Sequence, residues 1–268
     1  DPPGPLLKEF GAERIRATPI AESALTGMAI GAAGSGYRPI VDWRLVTFCF
    51  VAMDQVVNQA AKIHYMFGGQ AKFPIVFRTT IGGGTRRAAQ HSQSPYSMFM
   101  NLAGLKMIIP STPYDLKGLL KTAIRDNNPV VIFEDKLMYQ DKAPVPEEEY
   151  LIPFGEANIK REGSDITLIG TSSMVQVCEK AAEILAAEGI SAEVIDPRTI
   201  VPLDEKTLLE SARKTSRVIV VDEGHQSFGV TSEIASRINE KAFYHLDAPV
   251  VRMGAMDVPI PFSPALED

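Results

Sequence analysis

Val130-Val131-Ile132-Phe133 is an unbroken apolar run ending on Glu134, and it restricts the possible folds more than any other stretch of the chain. A strand without polar alternation must be covered on both faces, which a sheet with one wet side does not offer. The run therefore calls for a layered α/β sheet with helices above and below it. The rest of the first half supplies such helices. The patterning predicts a helix at about 20–35, a strand over Pro39–Trp43 and a helix near Phe48–Phe67. In the last of these, Val51, Met53, Val56, Val57, Ala60 and Ile63 fall mostly at helical spacing. Strands at Phe73–Thr79 and Met107–Pro110 follow, and Thr112-Pro113 opens a helix that runs to Arg125. Right-handed crossovers between such strands make the sheet largely parallel.

Asp141–Glu149 breaks the pattern with two prolines, four acidic residues and no apolar period, and it reads as a linker. Beyond it the alternation resumes. Strands are expected at Ile166–Gly170, Ala192–Asp196, Val218–Asp222 and Val250–Met253. Helices at about Met174–Glu188, Leu203–Lys214 and Gly229–Glu240 separate them, the first stopped by Gly189. The fold class is α/β with two parallel-sheet domains, over 1–140 and 151–268, joined through 141–150.

Composition narrows the function classes. Apolar content of 45% with 22% charged residues is that of a globular protein, and a net charge of −6 argues against a nucleic-acid surface. No apolar run approaches the roughly 20 residues of a membrane span, so no membrane partner is expected. Cys49 and Cys178 form neither a disulfide framework nor a metal pair, which points to a reducing compartment. The sequence opens on Asp1 rather than Met, and further residues are expected at both ends.

Glu22 is the leading candidate for chemistry. Thr18 can cap a helix with Pro19 at its first position, and small residues from Ser23 to Gly34 follow. A carboxyl heading such a helix is expected to face low dielectric, where it can hold or share a proton near neutrality. The plainer alternative is an acid complementing the helix dipole. His91, among the polar residues Arg87–Gln93, is placed in a loop after Gly82-Gly83-Gly84. Those glycines could cradle a phosphate or form a hinge, although the P-loop Lys-Ser/Thr is missing. His64, His225 and His245 show no metal spacing, so no zinc-type site is expected. A sheltered carboxylate and a loop histidine without a phosphate motif suit a half-site that another chain completes.

Ordered segments sharpen this reading. They are Thr18-Pro19-Ile20-Ala21-Glu22, Arg38-Pro39-Ile40, Asp54-Gln55, Tyr65-Met66-Phe67-Gly68-Gly69, Ala89-Gln90-His91-Ser92-Gln93 and Ala123-Ile124-Arg125-Asp126-Asn127-Asn128-Pro129. The second half adds Ile195-Asp196-Pro197-Arg198-Thr199, Pro202-Leu203-Asp204 and Pro261-Phe262-Ser263-Pro264-Ala265-Leu266-Glu267-Asp268. From end to end the chain resembles the beta subunits of thiamine-diphosphate-dependent 2-oxo acid dehydrogenases, closest to the pyruvate and acetoin branches.

The resemblance implies a transketolase-like pyrimidine-binding domain followed by a transketolase C-terminal-like domain. It implies an oxidoreductase active only with an alpha subunit, as an alpha₂beta₂ heterotetramer acting on a small 2-oxo acid or acetoin. Product would pass to a lipoyl acyltransferase core. Thiamine diphosphate would lie between the subunits, with magnesium held mainly by the alpha chain. By the same resemblance Glu22 meets the pyrimidine ring nitrogen, Phe48 packs on the ring, and His91 serves transfer to the lipoyl group. Ile75, Ala123, Ile124, Asp126 and Asn128 align with a potassium site, and Gly27 and Gly31 with a close-packed subunit interface. A branched-chain 2-oxo acid enzyme or a non-catalytic interaction subunit is the alternative. The implied location is the bacterial cytoplasm, or the mitochondrial matrix in a eukaryote.

Overall fold

The computed structural model describes residues 4–267. The first half runs α1 (Gly4–Phe10), α2 (Glu22–Gly34), β1 (Ile40–Leu45), α3 (Ile63–Met66), β2 (Val76–Ile81), α4 (Ala88–His91), α5 (Ser97–Met100), β3 (Lys106–Ile108), α6 (Pro113–Arg125) and β4 (Val130–Asp135). The second half runs β5 (Asn158–Arg161), β6 (Ile166–Gly170), α7 (Met174–Ala187), β7 (Ala192–Asp196), β8 (Thr199–Val201), α8 (Glu205–Thr215), β9 (Val218–His225), α9 (Val230–Ala242), β10 (Val251–Ala255) and α10 (Pro264–Glu267). No helix among the described residues is long and apolar enough to cross a membrane.

Two five-stranded sheets result, in the orders β1-β2-β4-β3-β8 and β10-β9-β6-β7-β5. Each has a parallel body and one antiparallel edge, β8 against β3 and β5 against β7. The apolar run sits at the centre of the first sheet. β4 pairs with β2 and β3, and all its residues are buried. Its Glu134 is neutralised by two guanidinium bonds from Arg78, at 2.6 and 2.8 Å. Helix α6 starts where Thr112 Oγ1 accepts the Asp115 amide at 3.1 Å, with Pro113 in its first turn.

Several expectations need correction. The continuous helix near Phe48–Phe67 is instead a 3₁₀ segment, Val46–Ala52, a π-helical segment, Gln55–Ala60, and the single turn α3. Val46-Thr47-Phe48-Cys49-Phe50-Val51 is rich in β-branched and aromatic residues that crowd an α-helical turn. The Ala61 amide reaches back to the Val56 carbonyl at 3.0 Å, which closes the wider turn. Helix α2 begins at Glu22 with Ala21 as its cap, so Thr18 and Pro19 stand outside it. His91 ends the short helix α4 rather than lying in open loop. Strands β5 and β8 were not expected from the patterning, being four and three residues long and stabilised by edge pairing. β8 also carries second-half residues into the first sheet.

Candidate functional site

Helix α2 is apolar on nearly every face, and only part of it is covered. Thr26, Ala29, Ile30 and Ala33 are buried, with Trp43 Nε1 donating to Thr26 Oγ1 at 3.0 Å. Trp43 in turn stacks on Phe77, with ring centroids 4.7 Å apart. Met28 is 53% exposed, and Ala24 and Gly31 also face outward. A Cβ added at Gly27 would lie 3.8 Å from Gln55, whereas nothing lies within 4 Å of one at Gly31. Gly27 thus serves packing within the chain, and Gly31 opens onto free surface.

Glu22 is half-buried, and its carboxylate has no hydrogen-bond or ionic partner among the described residues. The low dielectric expected around it is therefore not supplied by its own helix. What the chain does supply is position. Ser23 Oγ, next to Glu22, donates to the Val51 carbonyl at the end of the 3₁₀ segment that carries Phe48.

Phe48 and His91, distant in sequence, meet. Their ring centroids are 5.6 Å apart with planes tilted by 59°. Thr47 Oγ1 lies 3.2 Å from His91 Nδ1, and Nε2 has no hydrogen-bond partner among the described residues. Lys136 Nζ donates to the His91 carbonyl. Thr47 and Lys136 carried no local signal in the sequence.

The glycine loop is no phosphate cradle. The Gly82 amide donates to the Gln93 carbonyl at 3.2 Å, closing the loop that carries His91. The Gly84 amide donates to Glu267 Oε1 at 2.7 Å, and Arg86 meets Glu267 Oε2 through its amide at 3.2 Å and its guanidinium at 2.7 Å. Gly82 is obligatory, since at φ +100° a Cβ would fall 2.9 Å from Asp135 Oδ1 and 3.0 Å from Glu223 Oε2.

Around that glycine, carboxyls of both halves crowd together. Burial, then repulsion from Asp135, holds the Glu223 carboxyl well above the usual range, although Ser94 Oγ donates to it at 2.8 Å. Burial raises Asp222 as well, despite the hydroxyls of Thr171 and Tyr96 and the Gly224 amide that donate to it. Lys136 is lowered by burial, with Glu223, Asp135 and Glu267 acting in the opposite sense. Cys49 and Cys178 are buried free thiols, pushed up to about 12, which removes them as nucleophiles at neutral pH.

Oxygens of Ile75, Ala123, Ile124 and Asp126, four of the residues aligned with a potassium site, already accept hydrogen bonds. Arg38 Nη1 donates to the carbonyls of Ile124 and Asp126, both at 2.8 Å, and Nη2 to Asn127 Oδ1. The carbonyls of Ile75 and Ala123 take the amides of Val130 and Asp126. Asp126 Oδ1 holds the Asn128 backbone and side-chain nitrogens, while Lys106 pairs with Oδ2. The Lys106 and Asn128 bonds hold the Asp126 carboxyl below the usual range against the opposing effect of its burial, which is the largest single influence.

Comparison with known proteins agrees along the chain. The family model "Transketolase, pyrimidine binding domain" matches residues 5–142, and "Transketolase, C-terminal domain" matches 155–268. The beta subunit of acetoin:2,6-dichlorophenolindophenol oxidoreductase of Bacillus subtilis is 49% identical, over 98% of this chain and 77% of its own. The pyruvate dehydrogenase E1 component subunit beta of Rickettsia felis is 47% identical over 98% and 80%. The 2-oxoisovalerate dehydrogenase subunit beta of B. subtilis is 45% identical over 98% and 81%. A solved "split gene transketolase, inactive beta4 tetramer" superposes with a TM-score of 0.81 at 26% identity, covering 97% of this chain and 80% of that one.

Proposed function

Because the chain belongs to the transketolase-like family of pyruvate, acetoin and 2-oxo acid dehydrogenase beta subunits, we propose that it forms one side of a thiamine diphosphate site with an alpha subunit and acts on pyruvate or acetoin. The observation that carries this reading is the meeting of Phe48 and His91 beside the start of the Glu22 helix. An aromatic face, an unpartnered carboxylate and an imidazole with one nitrogen engaged fit an aminopyrimidine ring and a reacting carbonyl compound.

When bound, thiamine diphosphate would supply a nucleophilic carbon and an electron sink for cleavage of the bond beside the substrate carbonyl. Glu22 would hold a proton at the pyrimidine ring nitrogen, and the exposed surface of its helix at Met28 and Gly31 is the face offered to a partner chain. Phe48 orients the ring. With Nδ1 held by Thr47, His91 works through Nε2 and serves transfer to a lipoyl group on an acyltransferase core. Magnesium is assigned mainly to the alpha chain, and the assembly is an alpha₂beta₂ heterotetramer of the bacterial cytoplasm or mitochondrial matrix. Potassium at Ile75, Ala123, Ile124, Asp126 and Asn128 belongs to the same proposal. The donors are hard oxygens, and each carbonyl keeps a second lone pair that a cation can share with Arg38 or the bonded amides.

Reconstitution with an alpha subunit tests the reading. Glu22→Gln is expected to retain cofactor binding while turnover falls by about 10²–10⁴-fold, the range for a general acid–base group. Undiminished turnover overturns the role of Glu22. Assays against pyruvate, acetoin and branched-chain 2-oxo acids identify the substrate.

A further inference from the structure

The loop from Gly82 to Tyr96 carries His91, and the second half of the molecule grips it at both ends. On the far side, Ser94 donates to Glu223 and Tyr96 to Asp222. On the near side, Glu267 contributes several bonds. Glu267 takes two backbone amides and a guanidinium, and its side chain is 2% exposed. Between Gly84 and His91 the backbone is strained, with Arg86 and Ala88 both at φ +57°. Side chains other than glycine occupy that region only when their surroundings dictate it. Glu267 is the described carboxylate that holds the amide of Arg86.

We propose that Glu267 is a positioning residue for His91, fixing the near end of the loop so that the imidazole stays against Thr47 and Phe48. The proposal rests on the reading of His91 as the group that serves lipoyl transfer. The hydrogen bonds of the Glu267 carboxylate go to Gly84 and Arg86. It acts through six residues of backbone, and its loss removes the acceptor from the Gly84 and Arg86 amides and loosens the segment that leads into α4. A displacement of about 1 Å in a catalytic group is enough to cost up to a hundredfold in rate.

The test uses the assembled alpha–beta enzyme with Glu267→Ala and the milder Glu267→Gln, which keeps an oxygen for the Gly84 amide but loses the ionic pairing with Arg86. Hydrogen exchange of residues 84–92 in the cofactor-free assembly is expected to accelerate by about tenfold or more in Glu267→Ala and less in Glu267→Gln. Lipoyl-transfer turnover is expected to fall by about 10–100-fold. Turnover with 2,6-dichlorophenolindophenol as acceptor, the dye in the name of one relative, should stay within about twofold, because it bypasses the His91 step. Adding His91→Ala to Glu267→Ala should cost nothing beyond His91→Ala alone. Unchanged exchange in the loop, or an equal fall in dye-linked and lipoyl turnover, overturns the role of Glu267. Full lipoyl transfer in His91→Ala alone overturns instead the reading of His91, and the exchange result still reports on the clasp.

Discussion

Asp196 closes β7 with a carboxylate that forms no ion pair among the described residues. It accepts the Ser111 hydroxyl and, at 2.8 Å, the Arg198 amide. Burial pushes it up to about 6, with Asp115 nearby adding repulsion. The folded value lies above the unfolded one, so the native state keeps a proton that the unfolded chain releases. This contribution to stability is whole below about pH 4 and lost as pH rises through about 6, a difference of about 3 kcal/mol at neutrality. Asp196→Asn keeps an acceptor for the amide and offers Ser111 a donor instead. It is expected to raise the thermal midpoint at pH 7 by several degrees and to flatten its decline between pH 4 and 6. A midpoint that still declines with the wild-type slope refutes this account. At this scale the sequence was legible where a residue belonged to a contiguous motif. Glu22 and His91 lie in such motifs and Phe48 follows from the resemblance alone, whereas Glu267, although inside the segment Pro261–Asp268, meets Gly84 across 183 positions by a contact that no local pattern encodes. Thr47 and Lys136 escaped for the same reason, being 44 and 45 positions from His91.

Elements were legible where their own side chains decide them. The β4 run needs both faces covered, and α6 carries its start signal in Thr112-Pro113. The segment from Val46 to Ala60 was not, because its apolar spacing reads as helix while its crowded side chains select tighter and wider turns. Helix α6 also shows two effects competing at one position. A Cβ at Gly118 would lie 2.6 Å from Ile152 Cγ1 and 2.8 Å from Tyr150 Cε2, where the chain enters the second half. Alanine in place of glycine favours a helix by about 1 kcal/mol. Overpacking costs about 1–3 kcal/mol, and the Ile152 amide lies only 3.5 Å from the Gly118 carbonyl, so little room exists for a shift. Gly118→Ala is therefore expected to lower the urea midpoint. A stabilised single variant shows that the 150–152 segment yields freely.

On the scale of the whole molecule, the division at 141–150 joins two halves that are interlocked. β8, from beyond that segment, covers the edge of β3 in the first sheet, and Arg198 just before it pairs with Asp115 of α6 at 2.8 Å. Asp222, Glu223 and Glu267 meanwhile hold the His91 loop from the other side. The residues from Asp141 to Glu149 are all exposed and outside regular structure, so they tether the halves without carrying the contact between them. A protease site placed between Lys142 and Pro144 should be cut readily under native conditions. The two fragments are then expected to co-elute at equal stoichiometry and to unfold in one transition, because the β3–β8 pairing and the polar grip on the loop survive the cut. Residues 151–268 produced alone should aggregate, since β8 exposes an unpaired edge, Glu223 and Glu267 lose the donors that the first half supplies, and Asp222 loses that of Tyr96. Fragments that separate on native gel filtration, each folded, would mean that the seam holding His91 is an adaptable contact. The imidazole would then be positioned by Thr47 and Phe48 alone.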